Sequence, residues 1–167
     1  YNDIKTTFEN QIQNYGITKS SIPLVIQIAR FDGFELNNFN NAKAKIDQLL
    51  KLPLSAFEMG EVKGLLADLY LSNEKFNQAI VYYAQIQDDL KNHEIGHEAQ
   101  FKMALTSYFK TDFDWAQKQF KVLKQSTSLL IANDALDYFL LINDVTQQDT
   151  VKVSLTKFAK ADFLKFK

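Results

Sequence analysis

Two histidines four positions apart, His93 and His97, enclose Glu94, so that residues 93–97 read H-E-x-x-H. On a continuous helix this spacing aims two imidazoles at one metal ion. The glutamate is then placed to take a proton from metal-bound water, the chemistry of a zinc-dependent hydrolase. A catalytic zinc also needs a third protein ligand. The chain has no third histidine and no glutamate after Glu98. Asp112, Asp114 and the later aspartates remain, at no spacing that recommends them. Asn92 and Gly96 interrupt the helix that the motif requires, since glycine costs about 1 kcal/mol in a helix interior.

A plainer origin accounts for the same letters. Glu94 and Glu98 suit the positive end of an opening helix. Gly96 permits a close backbone approach, and the histidines read as partly solvated polar residues. The main reading therefore has no catalytic residue, no metal and no cofactor. A zinc-dependent hydrolase using His93, Glu94 and His97 stands as the alternative. Other candidate groups are weaker. Asp134, Asp137, Asp144 and Asp149 scatter around one segment, and Asp134 and Asp137 read as a solvated helix face rather than a convergent pair. Ser126-Thr127-Ser128 has no neighbouring base and reads as a helix cap.

Composition narrows the function classes. The 167 residues are 46% apolar and 23% charged, with 14 Phe, 7 Tyr and one Trp, which is ample material for a folded core. Five Gly and two Pro are too few for the many turns of an all-β fold, which favours helices with short connections. Net charge is −1 and Arg30 is the single arginine, so nucleic-acid binding through clustered phosphate contacts is not expected. There is no cysteine, hence no thiolate chemistry. No apolar run approaches the roughly 20 residues that span a bilayer, so no integral membrane segment is expected.

A period organises the chain. Phe39-x-x-Ala42-x-x-x-Ile46, Phe76-x-x-Ala79-x-x-x-Tyr83 and Phe113-x-x-Ala116-x-x-x-Phe120 share one pattern, and their alanines are 37 residues apart both times. Upstream, Leu66-Ala67 is echoed 37 residues later by Met103-Ala104. Residues three and four apart share a helix face. A small alanine at the crossing lets two helices approach, and the flanking aromatics fill the groove beside it. Hairpins of this kind must stack on neighbours to bury both faces. The spacing predicts nine helices, at about 2–14, 22–36, 39–51, 56–71, 75–90, 95–109, 113–125, 129–143 and 151–166. Ser55-x-x-Glu58 predicts a capping box, and Pro23 a helical first turn.

These residues resemble the tetratricopeptide repeat, whose first helix carries L-x-x-x-Y around a small residue and whose second carries A-x-x-x-F. Residues 60–92 match best, through Leu66, Ala67, Tyr70, Phe76, Ala79 and Tyr83. Residues 97–125 and 23–52 are degenerate copies. The chain is also loosely similar to uncharacterised bacterial cell-envelope proteins of this repeat class. The resemblance implies an all-α fold, a single α-solenoid domain of antiparallel hairpins wound as a right-handed superhelix, with flanking helices 2–14, 129–143 and 151–166. It implies a non-enzymatic scaffold that binds a protein or peptide in a groove lined by the first helix of each hairpin. By register the groove residues are Gln27, Phe31 and Phe34, then Gly64, Asp68 and Leu71, then Phe101, Leu105, Tyr108 and Phe109. The apolar third set suits an interface hot spot unless helices 129–143 and 151–166 cover it. Trp115 falls off the buried line of its helix and is a further contact candidate. The echo of Ile28–Asp32 in Phe158–Asp162 predicts another repeat beyond Lys167, and a leader removed before Tyr1 would place the protein outside the cytoplasm.

Overall fold

A computed structural model describes residues 2–126, 128–148 and 152–167, and among these every regular element is helical. Thr127 and Asp149 lie outside the described residues. The nine α-helices are α1 (Asn2–Tyr15), α2 (Ile22–Arg30), α3 (Phe39–Leu49), α4 (Ala56–Ser72), α5 (Phe76–Asp89), α6 (Glu94–Phe109), α7 (Phe113–Leu123), α8 (Leu129–Gln148) and α9 (Val153–Phe166). From α2 to α8 each helix packs on its neighbours in sequence. The next but one also touch along the even-numbered line, α2 with α4, α4 with α6 and α6 with α8, while α9 lies against α6 and α8.

Local chemistry sets the ends of these helices. Ser55 Oγ accepts from the Glu58 amide, and the Ser55 amide donates to the Glu58 carboxylate at 2.7 Å, closing the capping box that opens α4. Pro23 stands in the first turn of α2, where its missing N–H is no loss. The connections after α4 and α6 turn through left-handed residues, Glu74 (φ 60°) and Thr111 (φ 69°). In both, the chain closes the helix with a backbone bond, from Lys75 N to Tyr70 O and from Asp112 N to Ser107 O, each 2.9 Å.

One expected helix changes its winding. The sequence predicts α-helix through residue 36, but after Arg30 the chain adopts a π-helical turn over Phe31–Glu35, with Leu36 N bonded to Phe31 O. A π-turn fits an extra residue into one turn. Here it carries both Asp32 and Gly33 inward. The fully buried Asp32 carboxylate accepts from Asn41 Nδ2 at 3.0 Å and from Lys45 Nζ at 2.8 Å, and Lys45 also reaches Glu9 of α1 at 3.0 Å. Burial pulls the Lys45 ammonium pKa down. The bonds to Asp32 and Glu9 outweigh burial and hold it above the ordinary lysine value.

The core follows the alanine pattern and extends it. Each helix from α2 to α9 contains one alanine of zero exposure: Ala29, Ala42, Ala67, Ala79, Ala104, Ala116, Ala135 and Ala159. Around them the large side chains form two apolar clusters. One gathers α2, α3 and one side of α4 through Val25, Ile46, Leu49, Val62 and Leu66. The other runs from Ala67 and Leu71 of α4 through Tyr83, Tyr108 and Phe120 to Phe163 of α9. Tyr70 and Tyr82 stack at 5.7 Å and pack against both clusters.

The junction between α5 and α6 is held by a glycine. A Cβ built on Gly96 would sit 2.1 Å from the Leu90 carbonyl oxygen, a backbone atom that cannot swing away. A Cβ on Gly64, by contrast, meets nothing closer than Ile86 Cδ1 at 3.9 Å. Gly96→Ala is therefore expected to lower unfolding free energy by roughly 1–3 kcal/mol, the range for overpacking. Gly64→Ala should raise it by up to about 1 kcal/mol through helix propensity. Urea unfolding of the two variants beside the wild type checks both signs.

Candidate functional site

The first turn of α6 decides how the H-E-x-x-H letters fold. His93 is the N-cap, with extended backbone (φ −118°, ψ 156°), and the helix begins at Glu94. The two histidines therefore do not share a helical face. The His93 ring is exposed and stands edge-on to Phe57, with centroids 4.8 Å apart. His97 is half-buried, and its amide closes the first helical bond on the His93 carbonyl at 3.1 Å. Among the described residues no three His, Asp or Glu side chains gather as a metal-ligand set. Gly96 is explained by the Leu90 carbonyl beneath it. Asp144 and Asp137 are exposed on α8, and Asp134 is half-buried.

The expected groove residues divide. Leu71 (0% exposed), Tyr108 (0%), Phe109 (5%) and Leu105 (7%) are core, which corrects their assignment to a partner-binding surface. The rings of α8 and α9 cover part of this set. Tyr138 stands edge-on to Tyr108 at 5.1 Å, and Phe163 and Phe166 pack on Phe109 at 5.1 and 5.4 Å. Phe101 is half-buried between Phe120 and Tyr138. Trp115 is half-buried against the same cluster. Phe31 is half-buried in the π-turn, and Phe34 is 37% exposed at its end.

What remains open is a cleft of about 370 Å³ between α2, α4 and α6, with Tyr83 and Ile86 of α5 also lining it. Gln27, Gly64 and Asp68 line it, as the register predicts. Arg30, Glu61, Glu98 and Lys102 join them. These four could have been found from helical geometry. Arg30 follows Gln27 by three, Glu61 precedes Gly64 by three, and Glu98 and Lys102 form an i,i+4 pair on one face. Register at 37 residues points instead to Phe101 and Leu105. The cleft takes α6 one turn earlier, below the part that α8 and α9 cover.

The polar groups of the cleft are internally wired. Lys102 Nζ bonds both Asp68 oxygens at 3.1 Å and reaches Glu98 at 3.2 Å. Tyr83 Oη donates to Asp68 Oδ1 at 2.6 Å, so α4, α5 and α6 meet at one carboxylate. Burial first, and then the Asp68 charge, push the Tyr83 hydroxyl well above the ordinary tyrosine range and keep it a donor. Burial pulls the Lys102 pKa down, and the Asp68 and Glu98 charges outweigh it, so the net shift is upward. Arg30 and Glu61 carry no ion pair among the described residues. Lys102 is shared between two carboxylates, so the network itself stays net negative, and Arg30 and Glu61 stand beside it to meet an incoming group.

No protein-family model, no curated protein and no solved structure matches this chain.

The raised Lys102 pKa carries a sign. A cation whose folded-state pKa exceeds its unfolded value of about 10.4 contributes fully below that pH and loses its contribution as pH climbs through the folded value. The stability gap between wild type and Lys102→Gln should therefore be constant from pH 7 to 9.5 and shrink above about 10.4. Paired urea titrations across that range measure it.

Proposed function

We propose that the chain is a non-enzymatic binding scaffold, a tetratricopeptide-like α-solenoid whose cleft between α2, α4 and α6 receives an extended peptide or a partner helix. The observation that carries this reading is the cleft itself. It runs along α2, α4 and α6, and its wall sets charged and amide side chains such as Gln27, Arg30 and Lys102 beside apolar ones such as Ile26, Leu65 and Ile86. The Asp68–Lys102–Tyr83 network fixes its floor, and fixed polar groups orient a ligand without the entropy of ordering them anew. Arg30 supplies a planar donor suited to a carboxylate on the partner, with Gln27 one turn before it on the same helix. Glu61 offers a receptor for a cation.

Peptides selected from a random display library against the purified protein, then titrated by amide NMR, test the proposal. Shifts are expected at Gln27, Arg30 and Gly64. Arg30→Glu should weaken binding by about tenfold or more, the scale of a charge-assisted contact, with an unchanged melting temperature. Selected peptides that bind Arg30→Glu as tightly as wild type, or that shift only residues outside the cleft, would remove the groove. Stoichiometric zinc together with peptidase activity abolished by Glu94→Gln would favour the hydrolase in its place.

A further inference from the structure

Two aspartates of the interior hold a lysine. Asp32 binds Lys45 at 2.8 Å, and Asp68 binds Lys102 while accepting the Tyr83 phenol. A third, Asp162 of α9, repeats half of this arrangement. It stands three residues after the fully buried Ala159, as Asp32 stands three after the fully buried Ala29. It accepts a phenol, Tyr138 Oη, at 2.9 Å, as Asp68 accepts Tyr83. Yet no ammonium or guanidinium pairs with it among the described residues.

A second observation points to the same place. Tyr108 is fully buried, and its hydroxyl is a buried side-chain oxygen with no hydrogen-bond partner among the described residues. Its ring is edge-on to Tyr138, which donates to Asp162. Burial raises the Tyr108 hydroxyl pKa and the Asp162 charge raises it further, so that oxygen feels the carboxylate. Asp134, one turn before Tyr138 on α8, is half-buried, and no cation pairs with it among the described residues. Leaving a buried hydroxyl unsatisfied costs about 1–3 kcal/mol, which a ligand could recover.

We propose that Asp162, Tyr138 and Tyr108 form a socket for a primary ammonium group, of the kind that a lysine side chain carries. The ammonium's hydrogens meet the Asp162 carboxylate and the Tyr108 oxygen, and Tyr138 stays on Asp162 as Tyr83 stays on Asp68. The site lies among α6, α8 and α9, apart from the α2–α4–α6 cleft, so it stands or falls independently of the peptide groove.

n-Butylammonium, which reproduces the lysine side chain, is the probe, with n-butanol as the uncharged control. Titration followed by NMR should give saturable shifts at the Tyr138 ring and the Asp162 carboxylate with the amine and none with the alcohol. Asp162→Asn keeps an oxygen for Tyr138 and should weaken amine binding by about tenfold or more. Tyr108→Phe keeps the ring and should weaken it by a smaller factor, which serves if the Asn variant does not fold. A blocked pentapeptide with a central lysine separates sources: tighter binding than the amine assigns the socket to a protein partner, weaker binding to a free amine. Shifts that fail to saturate, that appear equally with butanol, or that persist unchanged in both variants overturn the proposal.

Discussion

Helix-to-helix distance is the constraint on which this molecule depends. Eight consecutive helices each place one alanine at full burial, and side chains of any greater length there would hold the axes apart. Close crossing makes the neighbouring large residues useful. Tyr83, Tyr108, Phe120 and Ile46 are fully buried because the alanines beside them leave room for their rings and branches. Gly96 extends the rule from side chain to backbone, since even a methyl group would strike the Leu90 carbonyl.

Polar interior groups are attached to this frame rather than scattered through it. Asp32 joins α1, the π-turn and α3 through Lys45. Asp68 joins α4, α5 and α6 through Tyr83 and Lys102. Asp162 joins α8 and α9 through Tyr138. Each carboxylate occupies a place where three elements or two come together, and each is supplied with donors, as burial of a charge demands. Tyr83 is held as a phenol by that burial, so it serves as a donor throughout the neutral range.

Much of the helical layout was legible in the residues. The 37-residue recurrence of alanine, the Ser55–Glu58 box and Pro23 placed most helix ends within two residues of where they stand. The π-turn was not legible, because α and π windings share the same apolar stripe over five residues. What separates them is the tertiary demand of Asp32 for Lys45 and Asn41. The cleft was half legible. Gln27, Gly64 and Asp68 followed from register, whereas Leu105, Tyr108 and Phe109 did not line it, since their fate depended on how α8 and α9 fold back over α6. Such a return across the array leaves no periodic trace in the letters of α6. The histidine motif was legible as a junction once Gly96 and Asn92 were weighed with it.

The position of α4 has a mechanical consequence. Its apolar residues point to both sides, Val62 and Leu66 into one cluster, Ala67 and Leu71 into the other, with the Tyr70–Tyr82 stack bridging them. A wall shared by two cores lets either end come apart while the other stays closed, so opening is expected to proceed as separate steps rather than as one event.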